Sequence, residues 1–99
     1  MTFAIKIDQD AIRDIEEAII WYESQQKGLS KQFLVLLEEH IDRLRSNPYF
    51  QIKYSDVRCL PIKKFPFMIH YTLEENTQSV IIRAVFNTHI NPSIWRKRK

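Results

Sequence analysis

The chain has 99 residues, 44% of them apolar and only one a glycine, which suits one domain with one core and excludes a disordered chain. No run reaches the roughly 18 apolar residues of a membrane-crossing helix, Lys6 and Asp8 interrupt any signal-like stretch, and the single Cys59 excludes an internal disulfide or a cysteine-based zinc site. The net charge of +3 is uneven: residues 1–46 carry six basic and nine acidic side chains, residues 47–99 nine basic and three acidic.

Phe3–Ile7 reads as a short strand. Asp8 follows as a candidate N-cap, with Asp10 in a first turn whose dipole favours a carboxylate. Ala11, Ile12, Ile15, Ala18, Ile19 and Tyr22 then recur at helical spacing. Arg13, Glu16, Glu17 and Glu23 fill the opposite face, and Lys27-Gly28 ends this helix. Ile20 and Trp21 sit beside the main stripe. They either widen the core face, the preferred reading, or contact a partner.

A second helix begins near Leu29 or Ser30 and presents Phe33, Leu36, Leu37, Ile41 and Leu44 on one side. Asn47-Pro48 stops it, because a residue before proline is pushed out of helical geometry. The short link predicts an antiparallel helical hairpin. From Val57 the apolar period becomes two, which predicts strands over 57–63, 67–74 and 79–87. Phe65-Pro66 turns the first corner and Glu75-Asn76-Thr77 the second. Pro61 lacks a ladder donor, so strand 57–63 is expected at a sheet edge. The predicted class is α+β: a strand, a two-helix hairpin, then a three-stranded antiparallel meander with both helices on one sheet face. One domain over 1–99 is expected.

The basic second half is the expected face for an acidic partner or a phosphate backbone. Its candidates are Arg58, Lys63, Lys64 and Arg83, together with Arg96, Lys97 and Arg98 in the tail. If Arg58 and Arg83 both point away from the helices, they form a positive patch with Lys63 or Lys64. His40 falls beside the apolar stripe of the second helix, and His70 lies inside a strand. No two histidines have metal-ligand spacing, and neither a metal nor a cofactor is expected.

Several pieces recur here in one order. Ala11, Asp14-Ile15 and Trp21-Tyr22-Glu23 come first, then Phe33 and the Asn47-Pro48 stop. Val57-Arg58, Phe65-Pro-Phe-Met-Ile-His-Tyr71, Val80-Ile-Ile-Arg-Ala-Val-Phe86 and Asn91-Pro92-Ser-Ile-Trp95 complete the set. This ordered set resembles the RelE/ParE superfamily of toxins from bacterial type II toxin–antitoxin modules, and above all its ParE-like plasmid stabilization branch. The resemblance implies a cytoplasmic toxin, in keeping with the lone cysteine, that is neutralised by a small cognate antitoxin. Ile20 and Trp21 are the candidate antitoxin contacts.

The superfamily implies two different activities. ParE-like members inhibit DNA gyrase, whereas RelE-like members cleave messenger RNA on the ribosome. Metal-free RNA cleavage needs acid–base groups and fixed cations beside the scissile phosphate. RelE-like enzymes place an arginine just after the corner and another in the tail. At these positions the chain has Met68 and, approximately, Asn91. It has Asn87 where many relatives end the last strand with histidine, and Trp95, an indole with no acid–base role, as the tail aromatic. The expected activity is therefore inhibition by binding. The alternative is a ribosome-dependent endoribonuclease with a reduced site of Arg58, Lys64, Arg83 and His89. A third reading is a non-toxic, antitoxin-binding relic.

Overall fold

A computed structural model of the chain describes residues 2–88. Strand β1 covers Ala4–Ile7, helix α1 Gln9–Gln25 and helix α2 Leu29–Ser46. Strands β2 (Ile52–Tyr54), β3 (Val57–Pro61), β4 (Phe67–Glu74) and β5 (Ser79–Asn87) follow. All five join one sheet in the order β1-β5-β4-β3-β2. β1 runs parallel to β5, with Ala4 opposite Ser79 and Ile7 opposite Ile82, and the other neighbours are antiparallel.

The α+β class and the helical hairpin match the sequence expectation, while the sheet departs from it in two places. The meander has a fourth strand, β2, and this short strand forms the outer edge instead of β3. Ile52 pairs with Arg58 and Tyr54 with Val57. Pro61 is still accommodated, because β2 does not extend alongside the end of β3 where Pro61 sits.

Gly28 makes the sharp link between the helices. Its φ of 87° lies in the left-handed region, which glycine enters without a Cβ clash. The Gly28 N–H donates to both carboxylate oxygens of Glu23 at 3.2 Å, and the Ser30 hydroxyl donates to the same group at 2.7 Å. These bonds favour the ionised form and hold the Glu23 carboxyl below its usual range. Glu23 therefore clamps the start of α2 rather than merely facing water.

One sheet face and the inner sides of the helices form the main core. Ala11, Ala18, Tyr22, Phe33, Leu37, Ile41 and Leu44 pack on Leu60, Phe67, Ile69, Tyr71, Val80, Ile82 and Val85. Four rings close it at the hairpin end. The Tyr22 centroid lies 4.9 Å from that of Phe65, and Phe33 lies 5.4 Å from both Phe65 and Phe67. Each such pair adds about 1 kcal/mol beyond simple burial. This packing fixes the Phe65-Pro66 corner against the helices, and with it the turn that carries Lys63 and Lys64.

Candidate binding surface

Arg58 and Arg83 do not form a common patch. Arg58 pairs with Tyr71, which pairs with Ile82, and both partners belong to the core under the helices. Arg58 thus lies on the helix side of the sheet, at its margin. Its Nη1 donates to the Phe50 carbonyl at 2.7 Å, and its guanidinium carbon lies 5.7 Å from the centre of the Tyr49 ring. Beside it the Tyr71 hydroxyl donates to the Pro48 carbonyl at 2.7 Å. Together these two bonds tie the 48–50 segment down after α2. Burial pushes the Tyr71 hydroxyl up to about 12.

Arg83 follows core-facing Ile82 and so points to the other side of the sheet, where it sits in a bulge. His70 pairs with Ala84 and Tyr71 with Ile82, so Arg83 is the extra residue on β5. Its Nε donates to the Thr72 hydroxyl at 3.1 Å, and its Nη1 bonds an Asp8 carboxylate oxygen at 2.9 Å. Asp8 holds the N-cap position of α1, but its side chain makes no capping bond. The expected cap is in this respect overturned: the carboxylate leaves the helix end to pair with the guanidinium. Nearby, the Val85 N–H donates to an Asp14 carboxylate oxygen at 3.0 Å. Asp14 thus occupies the edge of β5 beyond the last residue of β1.

The lysines of the β3–β4 turn are placed differently. Lys63 and Lys64 are both exposed, and neither makes an ion pair among the described residues. Lys64 has a φ of 73°, an uncommon left-handed conformation for a residue with a Cβ. His40, buried on α2, positions this turn. Its Nδ1 lies 2.6 Å from the Leu36 carbonyl, and its Nε2 accepts the Lys63 N–H at 3.2 Å. That pair of bonds places the ring proton on Nδ1. Its place beside the apolar stripe of α2 gave no sign of this bond to the turn.

Between α2 and the turn lies a groove of about 830 Å³. Tyr22, Leu29, Val35, Leu36, Phe65 and Pro66 supply its apolar lining, and Lys31, Gln32 and Lys64 its polar part. Val35 is 49% exposed. Ile20 and Trp21 are 70% and 58% exposed, which overturns their expected place in the core. Neither lines the groove. Trp21 lies seven residues after Asp14, on the flank of α1 that faces the β5 edge.

On the sheet face away from the helices, Met68 packs with Tyr54, Val57 and Cys59. His70 is fully buried, with its Nδ1 3.0 Å from the Tyr54 hydroxyl and 3.4 Å from the Cys59 sulfur. Burial pushes the Cys59 thiol up to about 11, so it stays protonated. Tyr54, Cys59 and His70 are buried and Met68 is half-buried, so these groups are packed away from solvent. Among the same residues no helix is long and apolar enough to cross a membrane. His89, Asn91, Trp95, Arg96, Lys97 and Arg98 lie outside the described residues.

Comparison with known proteins adds two findings. The family model for the ParE toxin of the type II toxin–antitoxin system, parDE, matches residues 5–92. A solved structure described as the chromosomal ParDE TA system from P. aeruginosa has a TM-score of 0.74 at 14% sequence identity, covering 86% of this chain and 95% of that chain. No curated protein sequence matches the chain.

Proposed function

The chain belongs to the ParE toxin family of parDE type II toxin–antitoxin systems, and from that membership we propose that it is a cytoplasmic toxin that binds and inhibits a macromolecular target and is neutralised by a small cognate antitoxin. DNA gyrase is the proposed target, on the strength of the ParE-like resemblance. The observation that favours binding over cleavage is the state of the sheet cations. Arg83 is engaged by Asp8 and Thr72, Arg58 by the Phe50 carbonyl, and Met68 stands where a nuclease would place an arginine. Cations held this way give structure to the protein instead of charge to a phosphate.

The candidate contact groups then divide by exposure. Lys63 and Lys64 are the candidates for an acidic or phosphate-bearing surface. Exposed Ile20 and Trp21 are antitoxin-contact candidates, since a large indole beside an aliphatic side chain is the kind of anchor that interfaces bury. The test is a supercoiling assay with purified gyrase and increasing toxin. Supercoiling falls in proportion to toxin and recovers when the antitoxin is added. Normal supercoiling at saturating toxin removes gyrase as the target.

A further inference from the structure

We propose that the chain self-associates head to tail, with the Ile20–Trp21 face of α1 in one copy seated in the groove between α2 and the β3–β4 turn of the next. Ile20 and Trp21 are the most exposed large apolar side chains among the described residues, at 70% and 58%. Glu16 precedes Ile20 and Glu17 precedes Trp21 by one helical turn, so each exposed carboxylate lies beside an apolar side chain. Arg13 is the one basic residue of α1. This face is therefore an apolar knob with an acidic border. The groove has the opposite border. Leu29, Val35, Phe65 and Pro66 give it an apolar floor, its charged lining residues are Lys31 and Lys64, and no carboxylate lines it. Its volume of about 830 Å³ admits an indole together with a branched aliphatic chain.

Each surface carries what the other lacks. The ion pairs among the described residues are Arg45–Asp42 and Arg83–Asp8, so Glu16, Glu17, Lys31 and Lys64 bring charges that the fold has not matched. Docking sets two carboxylates against two ammonium groups and takes both apolar surfaces out of water. Exposed apolar patches rimmed by polar residues mark such interaction sites. The occupant is a second copy because the chain itself supplies both complementary halves. Knob packed on knob across a two-fold axis would instead crowd the acidic borders of both copies. Neither Ile20 nor Trp21 lines the groove of its own chain, so the two halves are different surfaces. The contact is heterologous, leaves one knob and one groove free in each dimer, and continues beyond the dimer unless a ring closes. It requires neither an antitoxin nor a target, and a partner that covers Ile20 and Trp21 competes with it.

Sedimentation velocity of the purified full-length chain, without any partner, tests this over a hundredfold range of concentration. The weight-average mass should rise above the 12.0 kDa of one chain, and rise less at high salt. Glu16→Lys/Glu17→Lys makes both borders basic, and Lys31→Glu/Lys64→Glu makes both acidic. Each variant alone should weaken association at least tenfold. An equimolar mixture of the two should regain it, because every knob then meets a groove of opposite charge. Trp21→Ala should weaken association by a similar factor. All five positions are exposed, and matching circular dichroism with an unchanged melting temperature excludes misfolding. A wild-type chain that stays monomeric throughout overturns the proposal. Association that persists at wild-type strength in either charge variant, or a mixture that regains nothing, overturns it as well.

Discussion

Arg58 and Lys64 stand six positions apart in the chain, carry the same charge, and meet different surroundings. Arg58 lies on the helix side of the sheet, bonded to the Phe50 carbonyl and set against the Tyr49 ring. Lys64 projects from a turn, in a left-handed backbone, beside an apolar groove. Arg83 resembles Arg58, because Asp8 and Thr72 hold its guanidinium. Charge count alone predicts one basic face. Hydrogen bonding divides it into cations that hold the fold and cations that remain available to a partner. The planar guanidinium, with several donors in a fixed fork, suits the first task. The ammonium on a flexible stem suits the second.

The largest effect should come at high pH, in the anchored region around Arg58. The Tyr71 hydroxyl is pushed up to about 12 in the fold, against an ordinary 10.0. A raised pKa means that its contribution is fully present below pH 10 and is lost as pH rises through the folded value. A shift of this size corresponds to roughly 3 kcal/mol. Urea midpoints should therefore fall from pH 10 upward in the native chain, and Tyr71→Phe should flatten that fall. An unchanged profile in Tyr71→Phe would contradict the anchoring role.

Removing Arg58 comes next. Arg58→Ala deletes a charge-assisted bond and leaves the Phe50 carbonyl without that donor, at a cost of about 2 kcal/mol in denaturant unfolding. A loss below about 0.5 kcal/mol would place Arg58 with the lysines and dissolve the contrast. His40→Leu tests what holds the turn. It deprives the Lys63 N–H of its acceptor and should cost about 1 kcal/mol. It should also weaken partner binding without touching a contact residue, and wild-type affinity in this variant would show that the turn does not depend on His40. The smallest effect should follow Lys63→Ala/Lys64→Ala. Stability should stay within about 0.5 kcal/mol of the parent, as for exposed side chains generally, while partner affinity drops. A large loss of stability would show that these lysines also serve the fold.

The helical hairpin and four of the five strands were legible because their signals are local. Gly28, Asn47-Pro48 and the change of period at Val57 act over a few residues. β2 was not legible: Ile52-Lys-Tyr54 is too short to show a period, and pairing with Val57 and Arg58 makes it a strand. The separation of the two arginines was hidden for a related reason. No local composition shows that Arg58 shares the helix side with core Tyr71 while Arg83, next to core Ile82, lies on the other. Asp8 has the sequence of a cap, yet a guanidinium 75 positions away takes its carboxylate. Ile20 and Trp21 read as core because they are large and apolar. The inner face of α1 is filled instead by Ala11, Ala18 and Tyr22, which leaves them exposed. The groove depends on distant residues in the same way, since His40 and the ring cluster join α2 to the turn.

Binding without chemistry is tested most directly by toe-printing translated messenger RNA with purified toxin and ribosomes, at toxin concentrations that stop gyrase. Full-length products with no toxin-dependent cuts are the predicted result. Codon-linked cuts that disappear in His89→Ala would contradict it, and would make the chain an endoribonuclease despite the engaged state of Arg58 and Arg83.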